Sequence, residues 1–377
     1  MVQYKTLVKK VSISPGKKTK QKDYLLKGQL PIVDQGQQLI GGYSDNLDLQ
    51  LACNLPVIVF GDHTRAVKYV DFPFGAGADG IKVLEPVEGI YPKFLYYATQ
   101  YLVLRLEDRG YARHYQYIEK KELDVPPFAE QQRIVSRIEE LFSELDNGVE
   151  TLQKTKQQLA VYRQAVYASV YGTDDLRHIT DFFEISGGLT KNSKRHELPI
   201  KMPYLRVANV YYNELDLSEI KSIGVTESEV ERTLLQKDDL LFVEGNGSKE
   251  QIGRVAIWDG SVENCLHQNH LIKGRPIGGM LPQYALYYLI SRYGRKQILE
   301  VASSTSGLYT LSTNKVRNLK IPYIDMEQQK KCIETIEARI SVCDSIEKTV
   351  DTALQQAEAM RQSILKQAFE GGYNDGK

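Results

Sequence analysis

The sequence is poor in cysteine and histidine, has no long apolar run and carries no net charge. Its four cysteines, at positions 53, 265, 332 and 343, show no C-x-x-C spacing, and its six histidines do not cluster with them at metal-ligand spacing. We therefore expect neither a disulfide scaffold nor a metal site, and a reducing cytoplasm is the expected location. No stretch approaches the roughly 20 apolar residues that cross a bilayer, and residues 1–10 lack the apolar part of a signal peptide, so no membrane partner is expected.

The sequence also lacks a complete enzymatic motif. No G-x-x-x-x-G-K-[ST] phosphate loop occurs in it. Two fragments resemble a DNA amino-methyltransferase: FGAG at residues 74–77 is like the loop that holds S-adenosylmethionine, and VPPF at residues 125–128 is like the catalytic Asn/Asp-Pro-Pro-Tyr/Phe tetrad. That tetrad needs an amide or carboxylate first, to accept a hydrogen bond from the target amino group, and Val125 cannot accept one. A standalone methyltransferase is therefore the disfavoured alternative, and we expect the chain to catalyse no reaction itself.

The charge that the sequence does carry is distributed unevenly. Lys and Arg outnumber Asp and Glu in residues 1–124 and 173–320, whereas acidic residues prevail in 125–172 and 321–377. The first 27 residues are rich in lysine and contain Asp23 as their single acidic residue. Because a lysine-rich loop is most often a solvated surface, this excess alone indicates phosphate contact only weakly.

One phrase occurs twice, about half a chain apart. VPPFAEQQRIV at residues 125–135 returns as IPYIDMEQQKKCI at residues 321–333, and each copy is followed by apolar residues at alternating three- and four-residue steps. Such spacing predicts a helix with a narrow apolar stripe, typical of a coiled coil. Each helix has about 40 residues and is therefore roughly 60 Å long. We expect the two helices to pair antiparallel; the alternative is that each packs into its own local domain.

The two regions outside these helices also resemble each other. Each region contains a predicted helix that starts at a proline, YPKFLYYATQYL from Tyr91 and LPQYALYYLISRYG from Leu281. Short apolar runs such as PVIVF, DLLFV and RVAIW come before these helices and are predicted to be strands. We therefore predict an α+β protein with an internal repeat and four parts. They are a first globular block at residues 1–124, a long helix at 125–172, a second globular block at 173–320, and a second long helix with a short tail at 321–377.

Taken together, these features resemble the specificity (S) subunits of type I restriction–modification systems over nearly the whole chain. The resemblance rests on the doubled Glu-Gln-Gln phrase with its long helix, closing in YRQAVYASVYG or MRQSILKQAFEG. It also rests on PVIVFGDHTRAVKYVDFPFGAGADG in block one, and on PYLRVANV, KDDLLFVEGNGSKEQIGRVAIW and SSTSGLYTLS in block two. No single piece is specific, but the combination is.

The resemblance implies a function in double-stranded DNA recognition. Each block would be a target-recognition domain that reads one half of a split, asymmetric site, and the helix pair would be both spacer and docking platform for two methyltransferase subunits. S-adenosylmethionine would be carried by those partners, ATP and Mg by two restriction subunits, and no cofactor by this chain. A helix pair of about 60 Å exceeds one DNA turn of about 34–36 Å, so an unread spacer between the half-sites is expected.

Candidate DNA contacts are the polar or basic residues of loops punctuated by glycine. Lysine and arginine would bind phosphates and set the register, whereas Asn, Gln, Arg and His would read base edges. In block one the candidates are Lys17, Lys18, Lys20, Gln35, Gln37, His63, Thr64, Arg65, Arg113 and His114. In block two they are Lys191, Arg206, Asn209, Asn246, Ser248, Lys249, Ser304, Thr305 and Tyr309. For any one of them, the alternative is a solvated loop residue or a residue that caps a turn.

Overall fold

The structure is a computed structural model of the chain and describes residues 1–78, 80–107, 110, 112–169, 171, 173–248, 251–305 and 308–371. The chain divides into two compact units. The first consists of residues 1–153 and the chain from residue 350 onward, and the second consists of residues 154–349. Each unit therefore contains one globular block together with parts of both long helices.

Block one is a mixed structure of short strands and two helices, followed by the first long helix. Its strands are β1 (Val2–Gln3), β2 (Val8–Lys10), β3 (Lys18–Thr19), β4 (Leu30–Val33), β5 (Gly42–Ser44), β6 (Val57–Gly61), β7 (Val67–Val70), β8 (Gly75–Gly77), β9 (Ile81–Pro86) and β10 (Glu122–Leu123). Its helices are α1 (Pro92–Leu104) and α2 (Tyr115–Ile118), and the long helix is α3 (Phe128–Ser169). Two four-stranded sheets result, with orders β2-β9-β6-β7 and β3-β8-β4-β5, while β1 pairs with β10.

Block two has a related set of elements. Its strands are β11 (Leu176–His178), β12 (Phe183–Gly187), β13 (Ile200–Leu205), β14 (Lys221–Val225), β15 (Leu240–Val243), β16 (Gly245–Asn246), β17 (Val255–Ile257), β18 (Leu266–His267), β19 (Leu271–Pro276), β20 (Ser303–Thr305), β21 (Leu308–Thr310) and β22 (Lys320–Pro322). Its helices are α4 (Glu227–Thr233), α5 (Pro282–Ile290), α6 (Arg292–Val301) and α7 (Thr313–Arg317), and the second long helix is α8 (Met326–Glu370). The sheet orders are β12-β19-β15-β17, β14-β13-β18 and β16-β21-β20, and β11 pairs with β22.

The sheets confirm the predicted α+β class and internal repeat. The order β2-β9-β6-β7 in block one matches β12-β19-β15-β17 in block two, strand for strand along the chain. The runs PVIVF and DLLFV form β6 and β15, which are buried along their whole length and lie between two neighbouring strands. A short, continuous apolar run is expected for such a strand, because both of its faces are covered.

Each long helix begins directly after a proline-containing segment. The carbonyl of Pro127 accepts hydrogen bonds from the amides of Glu130 (2.9 Å) and Gln131 (3.0 Å), which closes the first turn of α3. The Pro126-Pro127 pair is therefore the start of a helix, where proline is tolerated because no intrahelical donor is needed. The observed helices lie within the ranges 125–172 and 321–377 predicted for the two helical parts.

Part of the apolar stripe of each long helix is buried and part is half-buried, and one residue with the same spacing lies outside the stripe. Buried stripe residues are Ile134, Ile138, Leu159 and Val166 on α3, and Ile336, Cys343, Val350, Ala357 and Ile364 on α8. Tyr162 fits the three- and four-residue spacing that predicts the stripe, but it is 48% exposed. Heptad steps from Leu159 lead instead to Arg163 and Val166, and the Arg163 side chain is largely covered by its contacts with α8. Tyr162 therefore lies on the flank of the helix.

Within each unit, the two long helices pair with each other. In the second unit, Arg163 contacts Asp344 (Nη1 to Oδ1, 2.6 Å), whereas Lys156, two turns earlier, contacts Glu347 (4.0 Å). Rising numbers on α3 thus meet falling numbers on α8, as the antiparallel prediction requires. In the first unit the equivalent ion pair joins Asp146 to Arg361.

The helices also contribute to the cores of their own blocks, so the alternative interpretation holds in part. In the first unit, Ile134 and Ile138 of α3 join the core that contains Phe94 of α1, and Ile364 of α8 joins the same core. In the second unit, Ile336 of α8 enters the core of block two together with Val166 of α3. Helix pairing and block packing therefore use the same apolar stripe.

One buried glutamine in each long helix makes the same set of hydrogen bonds. Gln131 is the first glutamine of the first Glu-Gln-Gln phrase and Gln329 is the second glutamine of the other, so the structural repeat is shifted by one residue relative to the phrase. Gln131 on α3 accepts a hydrogen bond from the amide of Tyr91 (2.8 Å) and donates to the carbonyls of Gly89 and Pro126 (both 3.0 Å). Gln329 on α8 makes the same three bonds, with the amide of Leu281 (2.8 Å) and the carbonyls of Gly279 (3.3 Å) and Ile324 (2.9 Å). In each unit one side chain thus joins the long helix to the start of the proline-started helix.

Candidate nucleic-acid interface

In block one, the ends of three parallel strands bring several predicted contact residues together. β8 pairs parallel with both β3 (Thr19 opposite Gly77) and β4 (Val33 opposite Ala76). The residues that follow these strands therefore lie at one edge of the sheet. We define edge one as Lys20, residues 34–37, residues 62–65 after β6, and Gly80.

Backbone and side-chain hydrogen bonds join the loops of edge one. Thr64 Oγ1 donates to the carbonyl of Gln35, and the amide of Asp62 donates to the carbonyl of Gly80 (2.5 Å). Gly80 has a φ of 73°, and a Cβ at this position would overlap Gln35 and approach the His63 ring. Glycine is therefore required here for the conformation and for the close approach of the two side chains.

Arg113 and His114 are brought to the same place by tertiary contacts. The amide of His114 donates to the carbonyl of Asp62 (2.8 Å), and the amide of Tyr115 donates to Asp62 Oδ1 (2.8 Å). The His114 side chain itself is only 2% exposed, whereas Arg113 is exposed. Asp62 thus fixes the start of α2 beside edge one.

The acidic side chains of edge one are committed to internal contacts. Asp62 Oδ2 lies 3.5 Å from Lys82 Nζ, and Asp34 Oδ1 lies 3.4 Å from the buried Lys68 Nζ. Burial lowers the pKa of Lys68, and the neighbouring Asp34 opposes that shift. Because both carboxylates lie beside lysines, the edge presents amides and cations rather than net negative charge.

The lysines predicted around β3 have different surroundings. Lys17 Nζ donates to the carbonyl of Asp48 and approaches that of Gln50 (3.4 Å), so it closes a neighbouring turn. Lys18 lies in β3, and both Lys18 and Lys20 are exposed. Lys20 belongs to edge one by position, whereas Lys17 also serves the loop structure of block one.

Block two has an equivalent edge, built on β13 and β18. These strands are parallel (Leu205 opposite His267), and Leu189 forms a parallel bridge with Gln268. We define edge two as Lys191, residues 206–209, 244–248 and 268–270. The amide of Glu244 donates to the carbonyl of His270 (2.9 Å), in the way that Asp62 bonds Gly80 in edge one.

A small sheet places further predicted residues beside edge two. In the β16-β21-β20 sheet, Tyr309 lies opposite Asn246 on one side and Ser304 on the other. Thr305 is opposite Leu308 at the end of the same sheet, and Ser248 follows β16. Lys249 lies outside the described residues. The register thus groups three of the predicted positions in one row.

Two predicted residues of edge two are engaged within the block. Asn209 is 2% exposed; its amide donates to the carbonyls of Asp216 (2.7 Å) and Glu219 (3.1 Å), and its Oδ1 accepts from the amide of Arg206. Arg206 Nη2 in turn bonds the carbonyl and carboxylate of Glu219. In this structure Asn209 therefore shapes its loop, and a base contact by its side chain would require the loop to open.

Three polar residues that follow β18 and lie in edge two were not among the predicted contacts. Gln268, Asn269 and His270 follow the strand, and His270 is exposed with its Nδ1 2.9 Å from Glu244 Oε2. The signal was present as HQNH between two short apolar runs. It was overlooked because no glycine punctuates that turn.

The fragments that imitate a methyltransferase have structural explanations. Gly75–Gly77 of FGAG form β8 in the middle of a sheet, and all three residues are buried. A Cβ at Gly75 would lie 2.7 Å from Ile32 Cδ1, and one at Gly77 would lie 2.5 Å from Asp34 Cβ. These glycines therefore permit strand packing, and the methyltransferase alternative is not favoured.

The described residues also bear on two other kinds of site, a metal centre and a membrane span. Among them, His, Cys, Asp and Glu side chains form no group of three that could hold a metal ion. In the same part of the chain, no helix combines the length and apolarity needed to cross a bilayer.

Comparisons with known proteins agree with this architecture. The family model "Type I restriction modification DNA specificity domain" matches residues 7–159 and again residues 175–356. The specificity subunit of the type I restriction enzyme EcoKI from Escherichia coli K12 is 27% identical over 266 residues, which are 66% of this chain and 57% of that protein. The chain thus spans little more than half of the length of this relative.

Two solved structures share the fold at low identity. A chain described under "Structural basis underlying complex assembly and conformational transition of the type I R-M system" has a TM-score of 0.71 and 14% identity, over 98% of this chain and 97% of that chain. The HsdS subunit of Thermoanaerobacter tengcongensis has a TM-score of 0.53 and 15% identity, over 98% and 96%. Because the family model matches most of the chain in two copies, one for each half of the repeat, the chain belongs to the type I restriction–modification DNA specificity family.

Proposed function

We propose that the chain is the DNA-recognition subunit of a type I restriction–modification complex, in which each block reads one half of an asymmetric, bipartite site in double-stranded DNA. Edge one reads one half-site and edge two reads the other. The observation that carries the proposal is the pair of edges. Their backbones are bonded alike, whereas their side chains differ.

The side chains at the edges suit the two tasks of DNA recognition. Glutamine and asparagine amides match the edge of adenine, and arginine matches that of guanine, so Gln35, Arg65 and Gln268 are candidates for base contacts. Lysines such as Lys20 and Lys191 neutralise phosphates and set the register on the duplex. Different side chains on the same scaffold are a simple way to read two different half-sites.

The experiment that tests this proposal changes one edge at a time. Methylated positions are sequenced in a host that carries the chain with its methyltransferase partner. We expect Gln35→Ala with His63→Ala to relax or change one half-site only, because a lost bidentate base contact costs about 1–3 kcal/mol of discrimination. Gln268→Ala with Asn269→Ala is the matched variant in edge two and should affect the other half-site. Unchanged recognition in both variants, or changes in the same half-site, would contradict the proposal.

The long helices are proposed to act as a spacer and a docking platform. Two methyltransferase subunits bind the helix pair, and two restriction subunits join that assembly. The acidic bias of the helical segments suits a basic partner surface. The name of the EcoKI relative, a specificity subunit of a restriction enzyme, supports this assignment.

The chemistry is proposed to belong to the partners, in the cytoplasm. The methyltransferase subunits carry S-adenosylmethionine and flip an adenine out of each half-site, and the restriction subunits use ATP and Mg. This chain binds no cofactor. Isothermal titration of the purified chain with S-adenosylmethionine should therefore give no binding heat, and a stoichiometric signal would favour the methyltransferase alternative.

A further inference from the structure

A concave, basic pocket lies beside edge one. Its volume is about 350 Å³, and its polar lining comes from Arg105, Glu107, His114, Tyr117, Lys120 and Lys121. Arg105 and Glu107 follow α1, Tyr117 lies in α2, and Lys120 and Lys121 follow α2. His114 connects the pocket to edge one, since its side chain lines the pocket and its amide bonds the carbonyl of Asp62.

The pocket carries an excess of positive charge. Among the described residues, three cationic side chains line it, against the one carboxylate of Glu107. Within the described part of the chain, neither Lys120 nor Lys121 forms an ion pair, although the nearby Lys10 is paired with Glu119 (2.8 Å). Arg105 donates one hydrogen bond to the Tyr101 hydroxyl (2.8 Å), and a guanidinium has five N–H donors.

Stabilisation of a helix end does not account for Lys120 and Lys121. Lysines after a helix can offset its dipole, but α2 has only four residues and hence a small dipole. Block two provides a comparison: Arg317 stands two residues before Leu319, as Lys121 stands two residues before Leu123. Arg317 bonds the carbonyl of Ile185 (2.9 Å) and Asn314 Oδ1 (3.1 Å), so that cation serves its own block. In the part of the chain that the structure describes, the side chains of Lys120 and Lys121 make no comparable bond within block one.

We propose that this basic pocket binds a phosphate of the DNA backbone next to the half-site read by edge one. The inference rests on the proposed function and adds a positioning contact to it. Clustered lysine and arginine with a tyrosine hydroxyl are typical phosphate ligands, and a phosphate contact fixes register without reading sequence. Arg113 directly precedes His114, which lines the pocket and is bonded to edge one. A DNA strand that passes edge one would therefore also pass the pocket.

The test is the double variant Lys120→Ala with Lys121→Ala, in the complex with the methyltransferase partner. Binding of a specific duplex and of a scrambled duplex is measured by fluorescence anisotropy over a series of KCl concentrations. We expect both duplexes to lose affinity by the same factor, about three- to tenfold, and the slope of log K against log[KCl] to fall by about one. Lys237→Ala with Lys296→Ala, two exposed lysines of block two that lie outside edge two, is the control for removal of two charges and should leave the slope unchanged.

A second measurement locates the phosphate. Duplexes with one neutral methylphosphonate at successive positions are compared with the unmodified duplex. In the wild type, one position flanking the half-site of edge one should weaken binding, and in the double variant the same substitution should have no further effect. An unchanged salt slope would overturn the inference. If the double variant has then lost thermal stability, the lysines are structural; if it has lost affinity for the methyltransferase partner, the pocket is a protein interface. If the wild type itself binds DNA without salt dependence, the proposed function fails as well.

Discussion

At the scale of single residues, the charged side chains of block two position the loops of edge two. Arg195 forms a two-point contact with Glu229 (2.8 and 3.1 Å) and also donates to the carbonyls of Thr190 and Gly224. Thr190 directly precedes Lys191 of edge two. This ion pair therefore joins the loop that carries Lys191 to α4 and β14.

The same ion pair should make block two sensitive to acid. The hydrogen bonds from Arg195 are the main cause that lowers the pKa of Glu229 from 4.5 to about 2. Because the folded-state pKa lies below the ordinary value, the contribution to stability is complete above pH 4.5 and is lost as the pH falls toward about 2. We expect the free energy of unfolding of the wild type to fall more steeply in this window than that of Glu229→Gln.

Urea unfolding at a series of pH values checks this prediction. Glu227→Gln changes an exposed carboxylate in the same helical turn and should leave the profile parallel to that of the wild type. Parallel profiles for Glu229→Gln and the wild type would contradict the assignment.

At the scale of elements, the joint between a long helix and its block depends on one buried amide. The side chain of Gln131 forms hydrogen bonds with the amide of Tyr91 and with the carbonyls of Gly89 and Pro126. These backbone groups lie at the ends of segments, outside the regular hydrogen bonding of helices and strands. Backbone groups of this kind need a partner when they are buried. Gln329 does the same in the other half, so each copy of the repeated segment supplies one glutamine to a structural joint rather than a catalytic group.

Removal of this joint should be costly for stability. We expect Gln131→Ala to lower the free energy of unfolding by about 2–4 kcal/mol, because it leaves several buried polar groups without partners. The neighbouring Gln132 is exposed, and Gln132→Ala should change stability by no more than about 0.5 kcal/mol. Denaturant unfolding of the two variants decides the matter, and equal stabilities would show that the joint is dispensable.

At the scale of the whole molecule, each long helix contributes residues to both compact units. If the helices set the distance between the half-sites, their length should determine the unread spacer. Four residues inserted into each helix add about 6 Å, close to two base pairs at about 3.4 Å each. We expect the spacer to lengthen by about two base pairs while both half-sites stay the same. Methylome sequencing is the measurement, and altered half-sites with an unchanged spacer would exclude the helices as a ruler.

The sequence predicted the larger elements well and the smaller ones poorly. The runs PVIVF, DLLFV and RVAIW became β6, β15 and β17, and both proline-started helices are present. Strands of two or three residues, such as β3, β8 and β18, were not predicted, because so short a segment shows no periodicity. These short parallel strands are the ones that form the two edges.

The sequence by itself determined the repeat, the long helices, the two blocks and the family, because those features depend on local periodicity, proline positions and a combination of motifs along the chain. Only the tertiary structure decided which loops meet. Gln35, His63 and His114 become neighbours through the pairing of β4 with β8 and through the carbonyl of Asp62, which are contacts between segments far apart in sequence. For the same reason, the internal bonds of Asn209 and the partners of Gln131 could not be read from spacing. Such contacts are set by the register of distant strands, which leaves no local pattern.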